Sequence, residues 1–521
     1  MSGARAAMQA ALDARREPFD VAVIGGGANG AGIALDCAAR GYSVALFERA
    51  EFAAGTSSRS SKLIHGGLRY VGLGQWGLVR EALAERARLI ANAPAIVAPL
   101  GFVVPFYGLI DALKFPLGLW LYDRLAGSAC LTPSRRIDRD SAVARAPGLA
   151  RADLRGAACY SDAGFDDARL VQALLARARA LGAVTLNQAE VVGLDRARGA
   201  RLDGVAVRDR ETGETREFAA RVVINAAGPW SDRVRSLHGR APAAGVTPSQ
   251  GAHVVVPARF LGGTEALVFP HTPDGRIMFA IPWQGHTLLG TTDTAVELGA
   301  DDPRPLAGEV DEILAVAARY LDPAPTRTDV LSVFAGLRPL AGAPDDGGTA
   351  QRSREHRLDI GADGLVTVSG GKWTTYRLIA EQAVNLAAES AGLPARPART
   401  AALAIAPLRA DVDPRHAAYG ADAHAVAAIA AADAELAEPL HENLPGTGAD
   451  YVWAARGALA VHVSDALAYH TRALFLDAVA ASAIAPRVAS LLAAELGQGP
   501  DWIARETVAA QDAAAAFTLG A

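Results

Sequence analysis

The sequence predicts an α/β protein (α+β overall) in three parts. Three observations predict it. Residues 19–48 read as strand, glycine turn, helix and strand; short strand-like runs recur between 245 and 343; beyond Pro407 the chain becomes alanine-rich and helical. A length of 521 residues suffices for two or three parts with sizeable cores.

The first part opens on Phe19 to Ile24 (FDVAVI), a short apolar run of strand type. Gly25-Gly26-Gly27-Ala28-Asn29-Gly30 follows, then a helical run from Ala31 to Arg40 closed by Gly41, a second strand at Ser43 to Phe47, and the acid Glu48. This order is that of a Rossmann-like dinucleotide fingerprint. Gly25 permits the tight turn, Gly27 lets backbone approach a pyrophosphate, and Gly30 lets the helix pack on the sheet. The helix start, beside Asn29, offers free N–H groups to phosphate. Glu48 accepts hydrogen bonds from a ribose diol and repels a 2′-phosphate, which disfavours NADP. The fingerprint by itself does not separate FAD from NAD.

Three more segments read as contacts to the same ligand. Gly55 to Tyr70 (GTSSRSSKLIHGGLRY) is dense in hydroxyls and glycines; its Thr56, Ser57, Ser60, Ser61, Leu63 and His65 can wrap a long polar molecule, and by itself the run equally fits a solvated turn region. The strand-like RVVINAA run ends at Ala227 and turns at Gly228-Pro229-Trp230. LVTVS is a further strand, after which Gly370-Gly371 opens a long helix from about Lys372 to Ala391, bringing Gly371, Lys372 and Thr374 to its start.

Between 245 and 343, the runs HVVVP, ALVFP, RIMFAIPW and HTLLGTTDT predict a largely antiparallel sheet, with one helix expected within 301–322. Pro394, Pro397 and Pro407 mark a linker before the helical part.

Composition excludes several classes. Lys+Arg total 51 against 56 Asp+Glu, a net charge of -5 without long basic runs, so general nucleic-acid binding is not expected. Cys37, Cys130 and Cys159 are odd in number and widely spaced, which predicts neither a disulfide framework nor a metal site and fits a reducing compartment. The first twenty residues hold no apolar run of the secretory kind and read as a frayed extension. Leu89 to Ile110 has no charge but carries Pro94, Pro99 and Pro105, so it reads as buried strands and loops, not a membrane span. The aromatic group from Phe115 to Tyr122, edged by Lys114 and Arg124, reads either as a core helix or as a cluster at a lipid interface.

The runs VIGGGANGAGIALDCAARG, GTSSRSSKLIHGGLRYV, YSDAGFDDARLV, INAAGPW, LLGTTDT, GLRPL and SGGKWTTYRLIAE, in that order, resemble the FAD-dependent (aerobic) glycerol-3-phosphate dehydrogenase family. The resemblance covers Phe19 to about Glu389. It weakens afterwards, although YHTRALFLD at Tyr469 to Asp477 is still similar to the family's helical C-terminal domain. It implies a Rossmann-like FAD-binding domain (18–90, 150–240 and 355–400), an antiparallel-sheet substrate domain (91–149 and 241–354) and a C-terminal helical domain (405–521).

The resemblance also implies a reaction. Glycerol 3-phosphate is oxidised to dihydroxyacetone phosphate, FAD takes the hydride, and a membrane quinone reoxidises it. Arg338 and Arg354 match positions used for the substrate phosphate, and Arg69 and Tyr70 match the substrate pocket. His253 and His65 are the two candidates for the base that takes the hydroxyl proton, with His253 favoured because it opens a strand-like run. Lys372 with Thr374 suits the negative charge gained by a reduced flavin, or reaches the substrate. A quinone partner implies peripheral contact with the cytoplasmic, inner face of the cell membrane. A homodimer is one assembly left open. The alternatives are a glycerol-3-phosphate oxidase using oxygen, whose relatives tend to carry an inserted segment not found here, and a non-catalytic FAD-binding protein.

Overall fold

In the computed structural model, residues 3–196, 201–237, 246–297, 302–341 and 356–519 are described. They form two large sheets, of eight and ten strands, and a set of C-terminal helices.

FDVAVI becomes the central strand of the first sheet. It pairs in parallel with Val44–Phe47 on one side and Thr215–Asn225 on the other. Val184–Leu186 extends the sheet beyond the first neighbour and Val366–Ser369 beyond the second, both in parallel. Apart from Asp20 these central residues are buried, as expected of a parallel strand covered on both faces. The helices Ala28–Arg40, Asp167–Ala180 and Tyr376–Ser390 cover one face. The antiparallel pair Ala189–Arg196 and Leu202–Asp209 runs onto Thr215–Asn225, and its apolar residues help to cover the other face. The carboxyl ends of the parallel strands, at Ile24, Phe47, Asn225 and Ser369, all point to one side, where α/β sheets bind ligands.

The second sheet is largely antiparallel. Val246–Pro257 lies between His286–Gly290 and Ser332–Ala341. Val97–Phe106 pairs along its whole length with Gly156–Phe165. Leu63–Ile64 and Gly156–Phe165 join this sheet, although both come from segments assigned to the cofactor part on sequence grounds. Pro99 and Pro105 are tolerated inside Val97–Phe106 because the strand on its other side, Ala266–Phe269, pairs only at Phe102 and Val103. Leu89–Ile110 holds the expected strand, buried over Phe102–Phe106 but exposed at Ala98 and Pro99, while its two ends are helical rather than loops, in Trp76–Asn92 and Leu109–Ala126.

The C-terminal helices share a core with the second sheet. Phe475 packs edge-on against Phe334 with ring centroids 4.9 Å apart, and Phe475 meets Phe517 at the same distance. Val333 donates its N–H to the Phe517 carbonyl, and Ala478 donates to that of Leu331. Arg472, in the YHTRALFLD run, adopts a left-handed backbone (φ 66°) and enters the core, where it donates to the Ser58 carbonyl at 2.6 Å.

Three further expectations change. The N-terminal segment is not frayed: Gly3–Ala14 is a helix whose Arg5 is fully buried, donating to Asp209 at 3.0 Å and to the Asn187 carbonyl at 3.2 Å. The helix after Gly370-Gly371 starts later than expected, at Tyr376, behind a tight turn at Trp373–Thr375. The aromatic group divides between two environments. Leu109–Ala126 is a helix whose Leu119 and Tyr122 are each 1% exposed, whereas Leu109, Ile110, Leu113, Leu117 and Trp120 form an exposed stripe.

His462 ties the C-terminal helices to the first sheet. Its ring lies 3.1 Å from Glu211 and 3.3 Å from Glu506. Burial alone would lower its pKa, but these hydrogen bonds and the nearby Asp465 outweigh burial and push it up to about 10. The folded chain therefore holds this proton more tightly than the unfolded one. The contribution is complete below the unfolded histidine value of about 6.5 and is lost as pH rises through about 10. His462→Gln is expected to lower the melting temperature at pH 7 and to flatten its decline between pH 7 and 10; equal slopes in the two proteins would refute this linkage.

Candidate functional site

A cavity of about 1000 Å³ opens at the carboxyl ends of the parallel strands and extends along one face of the second sheet. That volume lies at the upper end of small-molecule sites, which run from about 300 to 1,000 Å³.

At the nucleotide end, the glycine turn leaves no room for side chains. Gly25 has φ 105°, and a Cβ there would lie 2.7 Å from the Ala226 carbonyl oxygen. A Cβ on Gly27 would lie 2.8 Å from Ser57 Oγ, and one on Gly30 would drive into the Gly25 carbonyl oxygen. Gly25, Gly27 and Asn29 line the cavity, while Gly30 is buried beneath them. Glu48 lines it too, accepting the Gly26 N–H at 2.6 Å and the Ala50 N–H at 2.9 Å. Burial raises the Glu48 pKa, and these two N–H groups oppose the rise. Ala227, Gly228 and Trp230 form the far wall, with Arg49 stacked 4.8 Å over the Trp230 ring. The Trp230 indole N–H is buried with no hydrogen-bond partner among the described residues.

The hydroxyl-rich loop is held largely by protein. Thr56 donates to the Leu337 carbonyl at 2.5 Å and Ser60 to Asp167 at 2.6 Å. Ser57 accepts the first N–H of the Ala28–Arg40 helix at 2.8 Å, so its own proton remains to be donated into the cavity. Ser61 lies 2.9 Å from His253 Nε2. Leu63 and His65 also line the cavity. The His65 backbone is pinned at both ends by Thr374 Oγ1, at 3.2 and 3.1 Å. The next N–H, of Gly66, donates to the Tyr122 hydroxyl at 2.8 Å, and that hydroxyl donates to Asp162.

His253 and Arg338 lie on neighbouring strands of the second sheet, each over a glycine. A Cβ on Gly290 would lie 2.5 Å from the His253 ring, and one on Gly251 would strike the Arg338 guanidinium. Arg338 donates to Thr291 Oγ1 and the Thr292 carbonyl, both at 3.0 Å, and pairs with Asp293 at 3.3 Å. His253 is 2% exposed and stacks on Phe334 with centroids 4.8 Å apart. Burial first, then the charges of Lys62 and Arg338, hold its pKa well below the ordinary histidine value. Gly371, Lys372 and Thr374 complete this end, with the Lys372 ammonium 3.9 Å over the Tyr70 ring.

The cavity thus gathers most of the residues singled out in the sequence. Arg69 is placed only by its backbone, within the Leu68–Gly72 helix beside Tyr70. Arg354 lies outside the described residues. Other residues at the site escaped the sequence reading. Lys62 lies within GTSSRSSKLIHGGLRYV but carries no motif of its own. Burial lowers its pKa to about 8, and it bonds Asp167 and the Ser58 carbonyl, each at 2.7 Å. Thr291 and Asp293 belong to the TTDT run, which reads as strand and as part of the family resemblance but offers no site role by itself. Tyr469, Leu474 and Phe517 bring the C-terminal helices into the cavity wall, which no local pattern announced.

Comparison with known proteins identifies the family. A family model described as FAD dependent oxidoreductase matches residues 20–386, and one described as C-terminal domain of alpha-glycerophosphate oxidase matches 367–502. The mitochondrial glycerol-3-phosphate dehydrogenase of Arabidopsis thaliana is 37% identical over 539 aligned residues, covering 94% of this chain and 85% of that protein. The chain belongs to the FAD-dependent glycerol-3-phosphate dehydrogenase family. The mitochondrial relative from Macaca fascicularis is 42% identical over 399 residues, which are 74% of this chain but 55% of that protein. The match thus spans about half the length of that relative. The solved structure of the glycerol-3-phosphate dehydrogenase from Bacillus halodurans complexed with FAD superposes with a TM-score of 0.80 at 27% identity, covering 99% of this chain and 98% of that one.

The residues present fit the family's cofactor, FAD. The glycine cradle, the Glu48 carboxylate and the unbonded Trp230 N–H suit an adenosine diphosphate, and the Ser61–Leu63 and Gly370–Thr374 segments suit the flavin end. Gly30→Ala tests the cradle. Overpacking a filled site costs about 1–3 kcal/mol, and here the displaced group is the Gly25 carbonyl, within the turn whose N–H groups would meet the diphosphate. The variant is expected to purify folded by circular dichroism but without visible flavin absorbance; retention of the wild-type flavin content would rule the cradle out.

Proposed function

We propose that this chain oxidises glycerol 3-phosphate to dihydroxyacetone phosphate and passes the electrons to a lipid-dissolved quinone. The observation that carries the reading is the pairing of Arg338 with His253 on one wall of the cleft. A cation suited to phosphate and a ring suited to a hydroxyl proton stand side by side.

Bound FAD would supply the hydride acceptor. The protein supplies the rest. Arg338, fixed by Asp293 and Thr291, holds the phosphate. His253, neutral and buried, takes the proton of the C2 hydroxyl at Nε2, next to Ser61. His65 keeps the loop against Thr374, which favours a positioning part for it over that of the base. Lys372, above Tyr70 at the end of the cleft, brings positive charge to where negative charge develops. The apolar wall of Phe102, Tyr160, Val268 and Phe279 limits water in this half of the cavity.

The exposed stripe supports a lipid-borne acceptor over oxygen. Ile110 and Leu113 are 79% and 74% exposed, and Leu73 and Trp76 on the neighbouring segment are exposed as well. Lys114 edges the stripe, and Arg124 lies 5.2 Å over the Trp120 ring. Apolar and aromatic side chains rimmed by cations suit an anionic lipid interface. The Leu68–Gly72 helix packs beside this surface and carries Tyr70 into the cavity. We place the protein peripherally on the cytoplasmic face of the membrane. The apolar helix Ala478–Leu496 is long enough to span a bilayer, but half of it is buried among the C-terminal helices, so it serves as core.

Four experiments test this reading. Anaerobic addition of glycerol 3-phosphate is expected to bleach the flavin; an unchanged spectrum would favour a binding protein. Arg338→Ala is expected to raise KM while flavin stays bound, since losing a buried charge-assisted contact costs about 2–5 kcal/mol. Trp120→Glu is expected to weaken flotation with anionic liposomes without changing dye-linked turnover. Peroxide formation faster than quinone reduction would instead identify an oxidase.

A further inference from the structure

Two cations act on His253. Arg338 faces it from Ser332–Ala341, the strand paired with its own, and Lys62 faces it from the loop that also supplies Ser61. The other charges on the packed elements are already engaged. Asp167, from the Asp167–Ala180 helix, is bonded to Lys62, with Arg472 beside it at 3.4 Å. Asp293 accepts from Ser249 and pairs with Arg338. Arg276 is tied to Asp274 and Glu312. No carboxylate among the described residues bonds His253, and its Nδ1 is buried with no hydrogen-bond partner among them. The site as built therefore opposes the charge that His253 must carry after accepting a proton.

We propose that the phosphate of the substrate, seated on Arg338, completes the electrostatic setting in which His253 accepts the hydroxyl proton. The phosphate is then part of the catalytic apparatus as well as a handle for binding. A dianion beside Arg338 offsets one of the two cations, and in a buried site that offset acts on the imidazolium with little screening. Binding energy from a part of the substrate that does not react is thereby spent on the chemical step. This inference rests on the function proposed above and adds to it a specificity: an alcohol of the same carbon skeleton without the phosphate enters a site whose base is not yet competent.

The test uses the substrate in two pieces. Glycerol and phosphite dianion are offered together to the anaerobic holoenzyme. The C2 hydrogen of glycerol leaves with both bonding electrons to the flavin, and the hydroxyl proton goes to His253. Glycerol becomes dihydroxyacetone, and no bond to phosphite forms or breaks.

Phosphite is expected to speed flavin bleaching by glycerol about 5- to 150-fold, the usual size of coupling between two ligands on one protein. Calorimetry should show phosphite binding to the holoenzyme and its loss in Arg338→Met. That variant also separates a switch from a simple handle. With the cation gone, it should bleach with glycerol alone faster than wild type does and should ignore phosphite. A handle alone would leave the glycerol rate of the variant unchanged. An unchanged or slower glycerol rate, phosphite that binds without accelerating wild type, or phosphite that does not bind would each overturn the inference. If glycerol 3-phosphate itself fails to bleach the flavin, the proposed function falls first; if it bleaches while phosphite has no effect, only the switch falls.

Discussion

Asp167 is wholly buried between two cations, and the architecture of the site depends on that contact. Lys62 reaches it from the cofactor loop and Arg472 from the C-terminal helices. Both cations also donate to the Ser58 carbonyl, at 2.7 and 2.6 Å, and both lie over the rings of Trp283 and Phe475. One carboxylate thus joins the first sheet's helix, the loop lining the cavity and the last part of the chain. Charges this deep are tolerated only when paired and hydrogen-bonded, and breaking such a pair typically costs about 3–5 kcal/mol. The carbonyl and the ring faces supply the extra partners that two cations on one acid require.

This cluster explains the order above it. Ser60 shares Asp167 with Lys62, which fixes the loop and sets Ser61 beside His253. Lys62 itself turns through a left-handed backbone (φ 58°), so its side chain enters the core while Ser61 lines the cavity. The same ammonium that holds the loop depresses the basicity of the histidine. Structural support and tuning of the site come from one charge.

The glycines of the second sheet do the matching work on the other side. Most glycines in a strand weaken it. Gly251 and Gly290 leave the space in which Arg338 and His253 lie against the sheet, and both look like ordinary strand interruptions in SQGAH and LLGTT. Their meaning appears only when the strands pair in register, His253 opposite Gly290 and Ser249 opposite Arg338.

Local chemistry made the nucleotide end legible. A glycine turn between a buried strand and a helix start is a property of consecutive residues, so Gly25, Gly27, Asn29 and Glu48 could be read in order and are found together. The stretch from Leu109 to Trp120 was only half legible. Its composition announces an apolar helix, but which side faces out depends on what packs against Leu119 and Tyr122. The N-terminal helix was misread for the same kind of reason, since Arg5 gains its burial from Asp209, some two hundred residues away. By itself the sequence determined the family and the dinucleotide fold, and most of the candidate residues it offers do line the cavity, because those follow from short patterns. The tertiary structure alone decided which charges face one another: Lys62 and Arg338 on His253, Arg472 on Asp167. Electrostatic work depends on distance through space, and chain order carries no record of it.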